Sequence, residues 1–139
     1  MTALVHATED ESKVRKAILN LFPAQAETPV FEATRLEGYF GEPITTLKVT
    51  VRHRRPATEL FDCVVNGLSS LDLQALLDEL PQRVDETKNL YIRLDKQGAF
   101  LGKVKLERHD AIRVKAKLQL PHKADPVMHM REYIESVTE

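Results

Sequence analysis

Residues 111–119 read Ala-Ile-Arg-Val-Lys-Ala-Lys-Leu-Gln, so Ile112, Val114, Ala116 and Leu118 alternate with Arg113, Lys115, Lys117 and Gln119. A period of two is that of a β-strand with one covered face and one wet face. Here the wet face is basic. The same alternation recurs upstream. Leu90, Ile92 and Leu94 alternate with Tyr91, Arg93 and Asp95, and Val104 and Leu106 alternate with Lys103 and Lys105. Lys96 to Gly102 reads as a bend between these two strands, and Arg108-His109-Asp110 as a tight reversal. Further back, Leu47, Val49 and Val51 alternate with Lys48, Thr50 and Arg52, with Arg54 following in phase. This strand, over 44–52, pairs as a hairpin with residues 31–37 across a turn at Gly38 to Pro43. Thr2 to Ala7 adds a short first strand.

Helical spacing fills the intervals. Val14, Ala17, Ile18 and Leu21 form one apolar stripe, introduced by a capping box at Thr8 and Glu11 and stopped by Pro23. Pro56 opens a helix with Leu60, Phe61 and Val64 inward and Gly67 as its stop. Ser69 and Asp72 form a second capping box before Leu73, Leu76, Leu77 and Leu80, and Pro81 closes that helix. Asp125-Pro126 starts a last helix, about 125–138, that points Val127, Met130, Ile134 and Val137 inward and packs loosely. The predicted order is β-α-β-β-α-α-β-β-β-α. Such a chain is an α+β fold, a mostly antiparallel sheet with helices packed on one face, in a single domain over 1–139.

The 139 residues carry a formal net charge of −1. That near-neutrality hides segregation. Residues 48–55 hold four basic side chains and no acid, and residues 88–123 hold ten basic against three acidic; the mostly helical remainder is strongly acidic. A bipolar molecule can hold a polyanion on its positive side, because fields decay over about 8–10 Å at physiological salt. If the strands share one sheet, Lys48, Arg52, Arg54, Arg93, Lys103, Lys105, Arg113, Lys115 and Lys117 share its solvated face with Tyr91. Cations for phosphates beside an aromatic ring suit structured or single-stranded RNA. Exposed strand lysines also discourage edge-to-edge aggregation, so the pattern leaves open a protein-interaction module, a homodimer or a subunit of a complex, without RNA contact.

Other chemistry finds little support. The five histidines lack ligand spacing, so no metal site and no cofactor are expected. Cys63, the single cysteine, reads as a buried structural thiol and excludes an internal disulfide. Gly38-Tyr39-Phe40-Gly41 lacks the ending of a phosphate-binding loop. No constellation of catalytic residues is visible, which points away from an enzyme. No apolar run is long enough to span a bilayer and no signal peptide is visible, so a cytoplasmic protein without membrane contact is expected.

Three segments carry a family resemblance: Ala7-Thr8-Glu9-Asp10-Glu11 leading to Ile18-Leu19-Asn20-Leu21-Phe22-Pro23; Leu36-Glu37-Gly38-Tyr39-Phe40-Gly41-Glu42-Pro43-Ile44; and Leu90-Tyr91-Ile92-Arg93-Leu94-Asp95-Lys96-Gln97-Gly98-Ala99-Phe100-Leu101-Gly102. Over about residues 3–118 the chain resembles the archaeal family of predicted exosome-associated RNA-binding proteins, whose fold is similar to that of the 5S-rRNA-binding large-subunit ribosomal protein. The resemblance implies a ribosomal-protein-like α+β fold, RNA as partner, exosome- or ribosome-related proteins nearby, and no catalytic activity. In its most specific segment, Arg93 to Gly102, it marks Arg93, Lys96 and Gln97 as contact residues, with a purely structural role for Lys96 and Gln97 in capping or bracing the bend as the alternative, and it implies a small residue at the place of Gly98.

Overall fold

Strand alternation and helix stripes resolve into one sheet with its helices on one side. The computed structural model describes residues 1–38, 41–121 and 123–138. In chain order these form β1 (Thr2–Val5), α1 (Glu11–Asn20), β2 (Glu32–Glu37), β3 (Pro43–Lys48), α2 (Arg54–Gly67), α3 (Ser70–Asp78), α4 (Leu80–Arg83), β4 (Asn89–Asp95), α5 (Lys96–Phe100), β5 (Ala111–Lys117) and α6 (Pro126–Thr138). The sheet order is β2-β3-β1-β5-β4, antiparallel throughout. The expected hairpin joins β2 to β3; the Tyr39-Phe40 part of its turn lies outside the described residues.

The covered face carries Ala3, Val5, Leu47, Leu90, Ile92, Leu94, Ile112 and Val114, all buried. Val14, Ala17 and Ile18 of α1, Leu60, Val64 and Val65 of α2, Leu76 and Leu77 of α3, and Met130 and Ile134 of α6 pack into the same core. Each such Leu, Ile or Val contributes roughly 1.5–3 kcal/mol by leaving water. The last helix seats Ile134 in the core and ties to the body through Arg131, which donates to the Leu77 carbonyl at 2.9 Å, and Tyr133, which donates to Asp62 at 2.6 Å.

Several boundaries differ from the sequence pattern, each for a local reason. Helix α1 is capped by Asp10, which accepts from the Ser12 N–H at 2.9 Å, and not by Thr8. Helix α2 begins at Arg54, which puts Pro56 at its third position, where a missing N–H still costs nothing. The Ser69 cap holds, accepting from the Asp72 N–H at 3.1 Å, but Asp72 does not close the box; its carboxylate accepts from the Leu106 N–H at 3.1 Å. Pro81 sits inside the short helix α4 rather than ending α3. The segment after β4 is a helical turn, α5, capped by Asp95 through the Gly98 N–H at 3.1 Å. Residues 103–106 form isolated bridges, Leu68 with Val104 and Leu94 with Leu106, rather than a sixth strand. Pairing with β4 is confined to one bridge, bonded from the Asp95 N–H to the Lys105 carbonyl at 2.9 Å and from the Glu107 N–H to the Arg93 carbonyl at 3.0 Å, because the Lys103 N–H turns back to the Gly98 carbonyl at 2.8 Å.

Two features of the sheet matter for function. Strand β3 stops at Lys48, short of the expected 52. Strand β1 meets β5 through one registered pair, Thr2 with Arg113. The three-stranded part β2-β3-β1 and the hairpin β4-β5 therefore share a short seam.

Candidate nucleic-acid interface

Register fixes which side chains share the open face, because directly paired residues point the same way. Glu32 pairs with Lys48, Lys48 with Thr2, Thr2 with Arg113, and Arg113 with Arg93. One row of the open face thus runs Glu32, Lys48, Thr2, Arg113, Arg93 across all five strands. Beside it, Lys115 pairs with Tyr91 and Lys117 with Asn89. Lys48, Arg93, Arg113, Lys115 and Lys117 are exposed. Among the described residues none of these five has a carboxylate within 4.0 Å.

Arg93 and Arg113 face each other directly. Like charges in that position destabilise a sheet, by roughly 0.2–1 kcal/mol. The fold accommodates them without acids. The Arg113 guanidinium lies over the Tyr91 ring, 4.6 Å from its centre, and Arg93 donates to the Arg108 carbonyl at 3.3 Å. The Lys115 ammonium stands 6.0 Å from the same ring. The Tyr91 hydroxyl donates to Asp85 at 2.9 Å, and this bond pushes its phenol up. Asp85 is held well below the usual carboxylate range, chiefly by the Asn89 N–H and further by Tyr91, Thr87 and the Asn89 amide. Tyr91 is therefore a fixed pedestal for Arg113, and the outer plane of the guanidinium faces away from the ring.

The remaining expected contact residues fall into three places. Arg52 lies in the loop after β3, and Arg54 opens α2; both border a cleft at the end of the sheet where Lys48, Arg113, Lys115 and Lys117 also stand. Lys103 and Lys105 are exposed but lie off the sheet ladder, beyond the β4 edge, with the Lys105 carbonyl accepting from the Asp95 N–H at 2.9 Å. Gln97 is exposed on α5, at the opposite end of β4 from Tyr91.

Lys96 has to be removed from the contact set. It is 8% exposed, and its ammonium is spent inside the fold. It donates to the Leu4 carbonyl, to Asp110 at 2.8 Å and to Glu9 at 3.1 Å. Among the described residues, His6, Glu9 and Asp110 form the one trio close enough to share a cation. The Lys96 ammonium occupies that role, and His6 bonds Asp110 at 2.9 Å. Partial burial works against the Asp110 carboxylate, but the hydrogen bonds from Lys96 and His6 outweigh it and hold this carboxyl below its ordinary value. Cys63 is half-buried rather than fully enclosed, and burial pushes its thiol up, away from reactivity.

Sequence reasoning missed the cleft. It also missed His129, which α6 brings to the rim, and Phe61 and Tyr133, which line it. No periodic signal could have shown them, because the cleft is lined by segments far apart in sequence that only the fold brings together.

A family model described as RNA binding matches residues 1–118. The chain belongs to this RNA-binding family. Among its relatives, RNA-binding protein PAB1135 of Pyrococcus abyssi is 38% identical over 136 residues, covering 94% of this chain and 88% of that protein. The uncharacterized protein MJ0213 of Methanocaldococcus jannaschii is 35% identical over 116 residues, covering 81% and 76%. The solved structure of Mth689, a DUF54 protein from Methanothermobacter thermautotrophicus, superposes with a TM-score of 0.75 at 34% identity, over 99% of this chain and 94% of that one. All three are archaeal. In this member of the RNA-binding family, the matched residues 1–118 contain every strand of the basic face, while α6 lies beyond them.

Proposed function

We propose that this protein binds RNA through the open face of its sheet, without catalysing a reaction on it. The observation that supports this reading is the row Lys48, Arg113 and Arg93, extended by Lys115 and Lys117: cations in strand register with, among the described residues, no carboxylate within 4.0 Å, Glu32 opposite Lys48 being the one acid in the row. Such an array meets phosphates and leaves the Arg113–Tyr91 stack to face a base. Arg52 and Arg54 extend the phosphate track beyond the sheet. The target is structured or single-stranded RNA in processing, degradation by the exosome, or ribosomal RNA, and Lys103, Lys105 and Gln97 are secondary contacts at most.

The test is the salt dependence of binding. Each phosphate contact on a single strand contributes a slope of about −0.7, so five contacts cost roughly a hundredfold in affinity between about 50 and 200 mM salt. An affinity for a hairpin or single-stranded RNA that stays flat over that range rejects the mechanism.

One observation favours protein docking as a second reading. Every residue of the edge strand β2 is exposed, and Leu36 on it is 57% exposed. An uncovered edge of this kind can pair with a strand of a second copy or of a complex subunit. Light scattering across concentrations separates self-association at β2 from RNA binding at the far side of the sheet.

A further inference from the structure

At one end of the sheet β3 stops at Lys48, opposite Thr2 of β1, while β5 runs on past Arg113 to Lys117. The Met1 nitrogen donates to the Val49 carbonyl at 2.7 Å, and the chain leads on through Thr50 to Arg52. Residues 48–52, the end of β5 and helices α2 and α6 line a cleft of about 870 Å³, within the range of about 300–1,000 Å³ usual for small-ligand clefts.

The chemistry of the cleft is divided by depth. Its floor is apolar and partly accessible: Phe61 and Tyr133, with ring centres 6.1 Å apart, together with Val51 and Leu120. Tyr133 is fixed there by Asp62, and burial together with that bond pushes its phenol up to about 12, so it stays neutral. The rim is cationic, carrying Lys48, Arg52, Arg54, Arg113, Lys115 and Lys117, with His129 beside them, and among the described residues no Asp or Glu lines the cleft. A neutral aromatic floor under an acid-free basic rim is complementary to one molecule type above others. That type is a flat aromatic ring carried on an anionic chain.

We propose that the cleft receives an unpaired nucleotide of the bound RNA, its base against Phe61 and Tyr133 and its phosphates on the rim. This rests on the RNA reading and sharpens it, because the open face offers phosphate contacts and one guanidinium surface but no recess that takes in a base. The cleft makes the protein a reader of single-stranded ends or bulges attached to a structured element.

The test uses the full chain and two RNAs: a hairpin with a short unpaired tail, and the same hairpin with abasic residues in that tail. Phosphates are equal in the two, so the difference reports the base. The wild-type protein binds the intact tail about tenfold more tightly, the size of one stacked base. Thr58→Trp and, independently, Thr50→Trp fill the cleft from exposed positions on its two sides without changing charge. Both variants remove the tenfold difference and leave abasic-tail binding as it was. If wild type binds both RNAs equally with a steep salt slope, the phosphate contacts of the open face stand, and both the base on Arg113 and the cleft inference fall. If wild type prefers the intact tail and the two variants keep that preference, the base sits on Arg113 and the cleft inference falls. If neither RNA binds, both fall. If a polyglutamate peptide binds wild type and is lost in the two variants while the RNA difference persists, the cleft belongs to an acidic protein partner and the inference is overturned.

Discussion

The two ends of the sheet treat positive charge in opposite ways. At the end where β1 leads into α1, Lys96 is enclosed and its ammonium is shared among Glu9, Asp110 and a backbone carbonyl. At the other end Arg113, Lys115 and Lys117 stand exposed, and among the described residues no carboxylate approaches them within 4.0 Å. Both sets are basic residues in the same stretch of sequence. One set is used to hold elements together; the other is left available at some cost in repulsion. A residue's type therefore does not assign its role; the presence or absence of a folded partner does.

Charge reversal at the exposed end gives the largest expected effect. Arg113→Glu, Lys115→Glu and Lys117→Glu together should lower RNA affinity by about a hundredfold or more and flatten the salt slope by about three contacts. The thermal midpoint should hold or rise slightly, since the change relieves like-charge repulsion. Filter binding across a salt series, with a melt of the same sample, reads both. Loss of the fold instead would mean that these side chains are structural.

Lys96→Met should do the reverse. Removing the ammonium leaves Glu9 and Asp110 facing each other partly desolvated, at a cost of about 2 kcal/mol, scaled down from a fully buried pair because Asp110 is half exposed. For a chain of this length that is roughly 4–8 °C in Tm. RNA affinity at a temperature where the variant is folded should stay within about twofold; a tenfold loss would return Lys96 to the interface.

A smaller effect concerns acid. Asp110 and Asp85 are held below their ordinary 3.8 in the fold, so the unfolded chain takes up protons first as pH falls. Their contribution is fully present above about pH 4 and is lost as the pH drops through their depressed native values. Urea midpoints between about pH 5 and pH 2 should fall for wild type. In Lys96→Met they should fall less steeply, because Asp110 then loses its main partner. An unchanged slope would show that Asp110 gains nothing from Lys96.

The smallest effect belongs to residues between the two regimes. Gln97→Ala and Lys103→Ala should change RNA affinity by less than about twofold and leave stability within about 0.5 kcal/mol, as exposed positions off the sheet face do.

What was legible in the sequence follows from how local its cause is. The alternation in 112–118 places Arg113, Lys115 and Lys117 correctly because strand geometry needs no distant partner. The Ser69 and Asp125 caps were legible for the same reason: each closes within three residues. Lys96 was misread because its carboxylates come from 87 residues before it and 14 after it. Val104 and Leu106 alternate like a strand, yet the Leu106 N–H is taken by Asp72, 34 residues away. The cleft was invisible because no residue in it is unusual; it exists where β1 and β3 stop, β5 runs on, and α2 and α6 come alongside.

The single registered pair between β1 and β5 has a mechanical consequence. The sheet is two panels, β2-β3-β1 and β4-β5, joined at a seam one pair long and opened by the cleft on one side of it. A load spread over the open face meets least backbone resistance to bending along that line. Lys48 rides on one panel and Arg113 on the other, so flexing the seam alters the spacing of the cations across it.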